Sequence, residues 1–244
     1  MTKLVSLHNN AHQNMRVDPL KAEAHGANLP MVPVMLSEFL KLAVQYPIVV
    51  SKNKDTGQFV CVAMFGFSTN ENLFWSSDGW EGIYTPLHVA RQPFFLGQDK
   101  GQFLVCFDAD SESISDAEGE ALFNDDGSES NFLKSKQAVL AELLAGEEKI
   151  KSFVDKLLSL NLLKALQLEI TFDNGESQRV NGMYAVDEDV FNALDDNILL
   201  ELKRLEYLRP IYAMIVSMGQ IYSLVQKRNL RLSLESAPNA VKTA

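Results

Sequence analysis

The chain has 244 residues, of which 46% are hydrophobic and 22% charged, and its formal net charge is −10. This composition is typical of a folded globular protein that buries a substantial core. The acidic charge argues against binding to nucleic acid, which depends on clustered lysine and arginine, so no nucleic-acid partner is predicted.

The N-terminal third begins with a polar stretch, MTKLVSLHNNAHQNM, that lacks the apolar core of a secretory signal and favours the cytoplasm as location. The first 35 residues are expected to form an extended arm or short strands. A helix is then predicted, which Ser37 caps and Tyr46-Pro47 ends. Its predicted apolar stripe consists of Phe39, Leu40, Ala43 and Val44.

Two apolar runs, IVVSK and QFVCVAMFGF, flank the turn NKDTG and predict a β-hairpin. A further strand is predicted at GQFLVCFD. The two cysteines, Cys61 and Cys106, fall within these apolar runs. We therefore predict buried thiols in neighbouring strands and no disulfide framework.

The middle of the chain contains an acidic segment, residues 108–133, with nine acidic residues and no lysine or arginine. It does not place glycine and glutamate as an EF-hand requires, so it is interpreted as a solvated loop. Residues 131–160 then show helical periodicity, with Gly146 as a possible break.

The C-terminal half begins with a second predicted hairpin, LQLEITFDNGESQRVNGMYAVD, whose Asn174-Gly175 pair favours a type I′ turn. A helix opened by Asp187 is expected to break near Asp195-Asp196, and a final helix is expected from about Pro210 to Arg228. The apolar stretch in that final helix is interrupted by polar residues, so no membrane insertion is predicted.

Strands first and helices later predict an α+β fold with mostly antiparallel sheet and C-terminal helices packed against it. We expect a single domain over residues 1–232 and a flexible tail over residues 233–244.

The residues that stand out for function lie between positions 71 and 108, where both tryptophans occur among other rings and prolines. We call residues 74–95 the aromatic block. The candidate ligand- or partner-binding residues are Trp75, Trp80, Tyr84, His88, Arg91 and Asp108.

Two interpretations of the aromatic block are open. In one, Trp80 and Tyr84 wall a pocket in which His88 and Arg91 are polar anchors. In the other, which we favour, Arg91 pairs internally, for example with Glu38 or Asp108, and locks the segment together.

Motifs of known chemistry are missing from the sequence. It contains no Walker sequence, no GxGxxG, no GxSxG elbow and no HExxH pair, and the i, i+4 pair His8 and His12 lacks an apolar face to fold against. No catalytic residue, cofactor or metal site is therefore predicted, and an enzyme is disfavoured without being ruled out. The enzymatic alternative is metal-assisted oxidation with His88 and Asp108 as ligands.

Several segments resemble the SapC-like bacterial family in order and spacing. They are EFLKLAVQYPIVV, NLFW, GWEGIYTPLHVARQPFF, FDADS, GEALFNDDGSES, GMYAVDEDVFNAL and LKRLEYLRPIYAMIVSM. The family pattern often has two adjacent arginines before the proline-aromatic segment, whereas this chain has only Arg91.

The resemblance implies an accessory role in a bacterial biosynthetic or nutrient-uptake system. The partner implied is a protein, for which flavin-dependent halogenase-like and cupin-like proteins are candidates. We therefore expect a non-catalytic accessory or binding protein, with a surface-layer-associated protein as a further alternative.

Overall fold

The computed structural model describes residues 3–53 and 56–236. They form two compact units: unit 1 comprises residues 3–28 and 74–149, and unit 2 comprises residues 29–53, 56–73 and 150–236. The strands are β1 (Leu4–Ser6), β2 (Arg16–Val17), β3 (Met31–Pro33), β4 (Ile48–Lys52), β5 (Phe59–Met64), β6 (Trp75–Ser76), β7 (Gly79–Trp80), β8 (Phe94–Asp99), β9 (Gln102–Asp108), β10 (Ile114–Ser115), β11 (Glu120–Ala121), β12 (Leu163–Thr171) and β13 (Ser177–Val186). The α-helices are α1 (Asn9–His12), α2 (Pro19–Glu23), α3 (Phe39–Leu42), α4 (Leu87–Ala90), α5 (Asn131–Ser159), α6 (Glu188–Asn192), α7 (Asp196–Arg204), α8 (Leu208–Ser217) and α9 (Gln220–Ser236).

Unit 1 is built around an antiparallel sheet of order β1–β9–β8. Strands β8 and β9 are joined at Lys100 and Gly101, whose φ angles of +49° and +82° are those of a type I′ turn. Strand β2 pairs with both β10 and β11, and β6 pairs with β7. One cluster of buried core residues in this unit consists of Val17, Ala22, Phe94, Phe107, Leu122, Phe123, Leu133 and Leu140.

Unit 2 contains a five-stranded antiparallel sheet of order β12–β13–β4–β5–β3. Helix α8 packs against β4 and β13. The buried Ser217 hydroxyl joins helix and sheet, because it accepts a hydrogen bond from the Ile48 backbone N–H at 2.9 Å and donates one to the Met214 carbonyl at 2.6 Å. Both predicted hairpins and the predicted α+β class, with antiparallel sheet and C-terminal helices against it, are confirmed.

The first predicted helix is shorter than expected. A 3-10 turn, Leu36–Glu38, precedes α3, and the Glu38 carboxylate, not Ser37, accepts the Met35 backbone N–H at 2.8 Å. Of the predicted apolar stripe, Phe39 and Ala43 are buried, but Leu40 and Val44 are 50% and 64% exposed; Leu42, which was not part of the predicted stripe, is fully buried. A helix this short buries only the side chains that face its neighbours.

The predicted breaks in the later helices fall at different places. Helix α5 runs through Gly146 without interruption, since one glycine costs only about 1 kcal/mol in so long a helix. The predicted final helix is two helices, α8 and α9, with Met218 and Gly219 between them. Helix α9 continues to Ser236, so the first four residues of the predicted tail are helical and the others lie outside the described residues. The single domain over residues 1–232 stays a prediction.

The turn at Asn174-Gly175 is not of type I′. Only Gly175 has a positive φ, +86°, and its N–H donates to the Phe172 carbonyl at 2.9 Å. The Phe172 N–H donates in turn to Glu176 O, which is the pattern of a type I turn followed by a glycine bulge.

The two cysteines are buried thiols, as predicted, but they do not lie in neighbouring strands. Cys61 belongs to β5 in the sheet of unit 2 and Cys106 to β9 in the sheet of unit 1. Burial raises the pKa of the Cys61 thiol to about 12.

Among the helices of residues 3–53 and 56–236, none is long and apolar enough to cross a bilayer.

A buried ion pair attaches helix α9 to the loop after β5. The Arg228 Nε lies 3.2 Å from Glu71 Oε1, and the two side chains are only 21% and 9% exposed. The other carboxylate oxygen accepts the backbone N–H groups of Phe67 and Ser68 at 2.7 and 3.3 Å. Loss of the arginine would leave a charged carboxylate buried with backbone donors alone.

We predict that Arg228→Met lowers the free energy of unfolding by about 3 kcal/mol, because it leaves the Glu71 charge uncompensated. Arg179→Met is the matched control, since its ion pair with Glu169 is 73% and 64% exposed, and it should change stability by less than about 0.5 kcal/mol. Chemical denaturation of the three proteins measures both values. Equal losses in the two variants would contradict the prediction.

Candidate functional site

The two tryptophans of the aromatic block form a cross-strand pair in unit 1. Trp75 in β6 lies directly opposite Trp80 in β7, and both side chains are half-buried. Because directly opposed residues of an antiparallel pair point to the same face, the two indoles share one side of this short ribbon. The sequence singled out both rings, and the structure brings them together.

Residues of the N-terminal segment determine where Trp80 lies. A Cβ placed on Gly26 would come within 3.0 Å of the Trp80 ring and 3.2 Å of Val89, so any larger residue would force these side chains to shift by a few tenths of an ångström. The Glu23 carboxylate accepts the Trp80 backbone N–H at 3.4 Å. Neither Glu23 nor Gly26 carries a sequence signal for this role, because both lie about 55 residues away in the chain.

The segment between β7 and α4 exposes a large apolar side chain. Ile83 is 86% exposed, and Tyr84 beside it is half-buried. We call Trp75, Trp80, Ile83 and Tyr84 the tryptophan surface. Ile83 was not among the sequence candidates, since a lone isoleucine in a loop gives no signal before its exposure is known.

Arg91 acts inside the aromatic block. Its guanidinium donates to the Phe94 carbonyl at 2.8 Å and lies over the Phe95 ring, 4.1 Å from the centroid. Burial lowers the pKa of the guanidinium from its ordinary value. These contacts fit the internal lock, although the partners are Phe94 and Phe95 rather than the expected Glu38 or Asp108.

His88 is the second residue of the short helix α4 and lies one helical turn before Arg91, which directly follows the helix. Burial lowers the pKa of its imidazole to about 4, and the positive charge of Arg91 adds to this shift. No side-chain hydrogen bond to the ring is present in the part of the chain that the structure describes. The histidine is therefore neutral at physiological pH.

Lys136 of α5 is a contributor that the sequence reading missed. Its ammonium donates to the Ala90 carbonyl at the end of α4 at 2.6 Å, and burial lowers the pKa of the amine while the charge of Glu23 opposes that shift. Lys136 follows Phe132 and Leu133 by one turn and precedes Leu140 by one, so it lies on the apolar face of the helix. The position of a lysine on the apolar face of a predicted helix is the sequence feature that could have identified Lys136 as a contributor.

Asp108 is the last residue of strand β9, and its carboxylate already accepts hydrogen bonds from backbone groups. Its carboxylate accepts the backbone N–H groups of Lys3 and Asp110 at 3.1 and 3.2 Å. No group of three histidine, cysteine, aspartate or glutamate side chains suited to a metal ion occurs among residues 3–53 and 56–236. The structure thus does not assemble His88 and Asp108 into a ligand set.

Gln92 carries the unusual polar atom of the block. Its Oε1 is buried, and no donor among the described residues reaches it. Buried acceptors are paired in the great majority of cases, so this oxygen is a place where the block is incompletely satisfied.

Two cavities are formed by other parts of the chain. One, of about 360 Å³, lies in unit 1 beside β9 and the start of α5, and the other, of about 440 Å³, lies in unit 2 between β5 and the second half of α5. None of the six sequence candidates lines either cavity. Within the aromatic block, Trp75 and Trp80 are half-buried and Ile83 is exposed, whereas Arg91 makes internal contacts.

A comparison with protein families gives one assignment. The family model described as SapC matches residues 7–224, which is most of the chain. No curated protein and no solved structure matches the chain.

The pKa of His88 predicts a pH-dependent stability. Between the ordinary pKa of 6.5 and the folded value of about 4, the unfolded chain binds a proton that the folded protein does not, so stability falls as the pH drops through this window. With allowance for partial exposure, the loss amounts to about 2 kcal/mol. His88→Gln should remove this part of the pH dependence, as measured by urea unfolding at several pH values, whereas His8→Gln, at an exposed position, should retain it.

The contacts of Arg91 predict a structural role. Arg91→Ala should lower the free energy of unfolding by about 2 kcal/mol, through loss of one charged hydrogen bond and one cation–π contact. Arg91→Lys should fall between wild type and alanine, because a lysine does not make both contacts. The exposed Arg209 provides the control substitution to alanine. An alanine variant with unchanged stability and lost partner binding would instead make Arg91 an anchor for recognition.

Proposed function

The chain belongs to the SapC family, and from this membership and the tryptophan surface we propose that it is a non-catalytic accessory protein that binds a partner protein. The observation that carries the proposal is the 86% exposure of Ile83 beside half-buried aromatic rings. Exposed apolar groups next to tryptophan and tyrosine are the usual composition of the energetically dominant centre of an interface.

The form of the tryptophan surface favours a macromolecular partner over a small ligand. Small molecules bind in concave sites that enclose most of their surface, and neither cavity described above contains Trp75, Trp80 or Ile83. A surface held by the cross-strand pair and by Gly26 is pre-organised, which lowers the entropy lost on association.

The chemistry of the remaining candidates favours binding over catalysis. Arg91 and Asp108 are engaged in internal contacts, and His88 is a single neutral imidazole without an orienting partner among the described residues. General acid-base catalysis favours a group whose pKa lies near the operating pH, whereas the pKa of His88 is about 4, and metal-assisted oxidation needs converging ligands.

The setting that we propose is the bacterial cytoplasm, within a biosynthetic or nutrient-uptake system. Both cysteines are free thiols, which suits a reducing compartment. A flavin-dependent halogenase-like or cupin-like protein is the proposed class of partner, on the basis of the family resemblance.

Site-specific photo-crosslinking in bacterial cells tests the proposal. A photoreactive phenylalanine analogue at position 83 should yield a discrete crosslinked species, whereas the same analogue at position 222, where Tyr222 is 77% exposed in unit 2, should not. After the partner is identified and purified, Ile83→Asp should weaken binding at least tenfold, because it places a charge in the apolar centre of the interface. Tyr222→Asp is the matched control. No crosslink at position 83, or equal binding by both variants, would refute the proposal.

A further inference from the structure

The described residues that line the cavity of unit 1 are both apolar and polar, and Glu129 is the one carboxylate among them. Its volume is about 360 Å³, toward the lower end of the range for small-molecule sites, which is roughly 300–1,000 Å³. Its lining residues include the leucines Leu7 and Leu133, the aromatic residues Phe103 and Phe123, and the titratable residues His8 and Glu129. We call it the Glu129 cavity.

The carboxylate of Glu129 is oriented but only partly satisfied. Its Oε1 accepts a hydrogen bond from the Gln137 side-chain amide at 2.7 Å, which fixes the direction of the half-buried side chain. Its Oε2 has no hydrogen bond or ion pair with any described residue. Neither lysine nor arginine lines the cavity, and His8, which does line it, makes no hydrogen bond or ion pair with Glu129.

The rest of the wall also favours a cation. Phe103 is 55% exposed on β9 and lines the same cavity as Glu129. The turn before Glu129 contains two further carboxylates, Asp125 and Asp126, whose negative potential is offset in part by the charge of Lys134 near Asp126. An aromatic face and a carboxylate in one cavity are the two groups that recognise an organic ammonium, by cation–π attraction and by a charge-assisted hydrogen bond.

We propose that the Glu129 cavity binds a compact organic amine. The ammonium group donates to Glu129 Oε2 and contacts the Phe103 ring, while the apolar body of the ligand packs on Leu7 and Leu133. An anionic ligand would be repelled by the Glu129 carboxylate, and a neutral alcohol would leave that carboxylate without a counter-charge. This site is separate from the tryptophan surface and does not depend on the function proposed for that surface.

Calorimetric titration of the full chain tests the proposal with three probes of one shape: 2-phenylethylamine, 2-phenylethanol and 3-phenylpropanoate. We expect saturable binding of the amine, at least ten times weaker binding of the alcohol and none of the carboxylate. Amide resonances of residues 103–105 and 129–137 should shift on addition of the amine in a two-dimensional NMR spectrum.

Two substitutions and one control locate the binding. Glu129→Gln retains the shape of the side chain and should weaken amine binding at least tenfold, while Phe103→Leu, at an exposed position, should weaken it several-fold. Glu120→Gln removes the same charge from an exposed residue of β11 that does not line the cavity, and it should leave binding unchanged. Equal binding of amine and alcohol, unchanged binding by both Glu129→Gln and Phe103→Leu, or absence of amine binding at millimolar concentration would overturn the proposal. An equal loss in Glu120→Gln would also overturn it, since the effect would then be one of net charge.

Discussion

The aromatic block depends on how the end of the short helix α4 is held. A helix of four residues does not stabilise itself, because nucleation costs more than one turn of hydrogen bonds returns. Two cations supply the missing contacts: Lys136 donates to the Ala90 carbonyl, and Arg91 donates to the Phe94 carbonyl while lying over Phe95. These contacts connect α4 to α5 on one side and to the start of β8 on the other.

Because Lys136 and Arg91 both make internal contacts, neither is available to bind a partner. A guanidinium that already donates to a carbonyl and stacks on a ring has little left for a ligand, and the neighbouring imidazole is neutral because burial and the charge of Arg91 disfavour its protonated form. The exposed residues of the block are Ser77, Asp78, Glu81 and Ile83, and Ile83 is the one apolar side chain among them. The internal contacts of Arg91 and the neutral imidazole of His88 are the reasons why we propose a binding role, with Ile83 at its centre, over acid-base chemistry.

The sequence predicted elements whose signal is local and missed those that depend on distant neighbours. The hairpins β4–β5 and β12–β13 and the helix opened by Asp187 follow from runs of apolar residues, turn residues and a cap within a few positions. The pairing of β8 with β9 was missed because prolines and adjacent rings resemble irregular chain, although the turn at Lys100-Gly101 is a hairpin signal. The packing of Trp80 against Gly26 could not be predicted, because the two residues are far apart in the sequence. The residues that Arg91 contacts could not be predicted either, because residue spacing within a segment does not determine them.

The two most informative glutamates of the chain show how context decides the role of one residue type. Glu71 is surrounded by donors, two backbone N–H groups and the Arg228 guanidinium, so its charge is balanced within the fold. Glu129 receives one amide donor, from Gln137, and its second oxygen has no partner among the described residues. A carboxylate that is oriented yet uncompensated, in a cavity with an aromatic wall, is arranged for a cation that the chain does not itself supply. Of these two glutamates, the one whose charge is matched holds α9 to the loop after β5, and the one whose second oxygen is unmatched lines the cavity in which we propose a ligand.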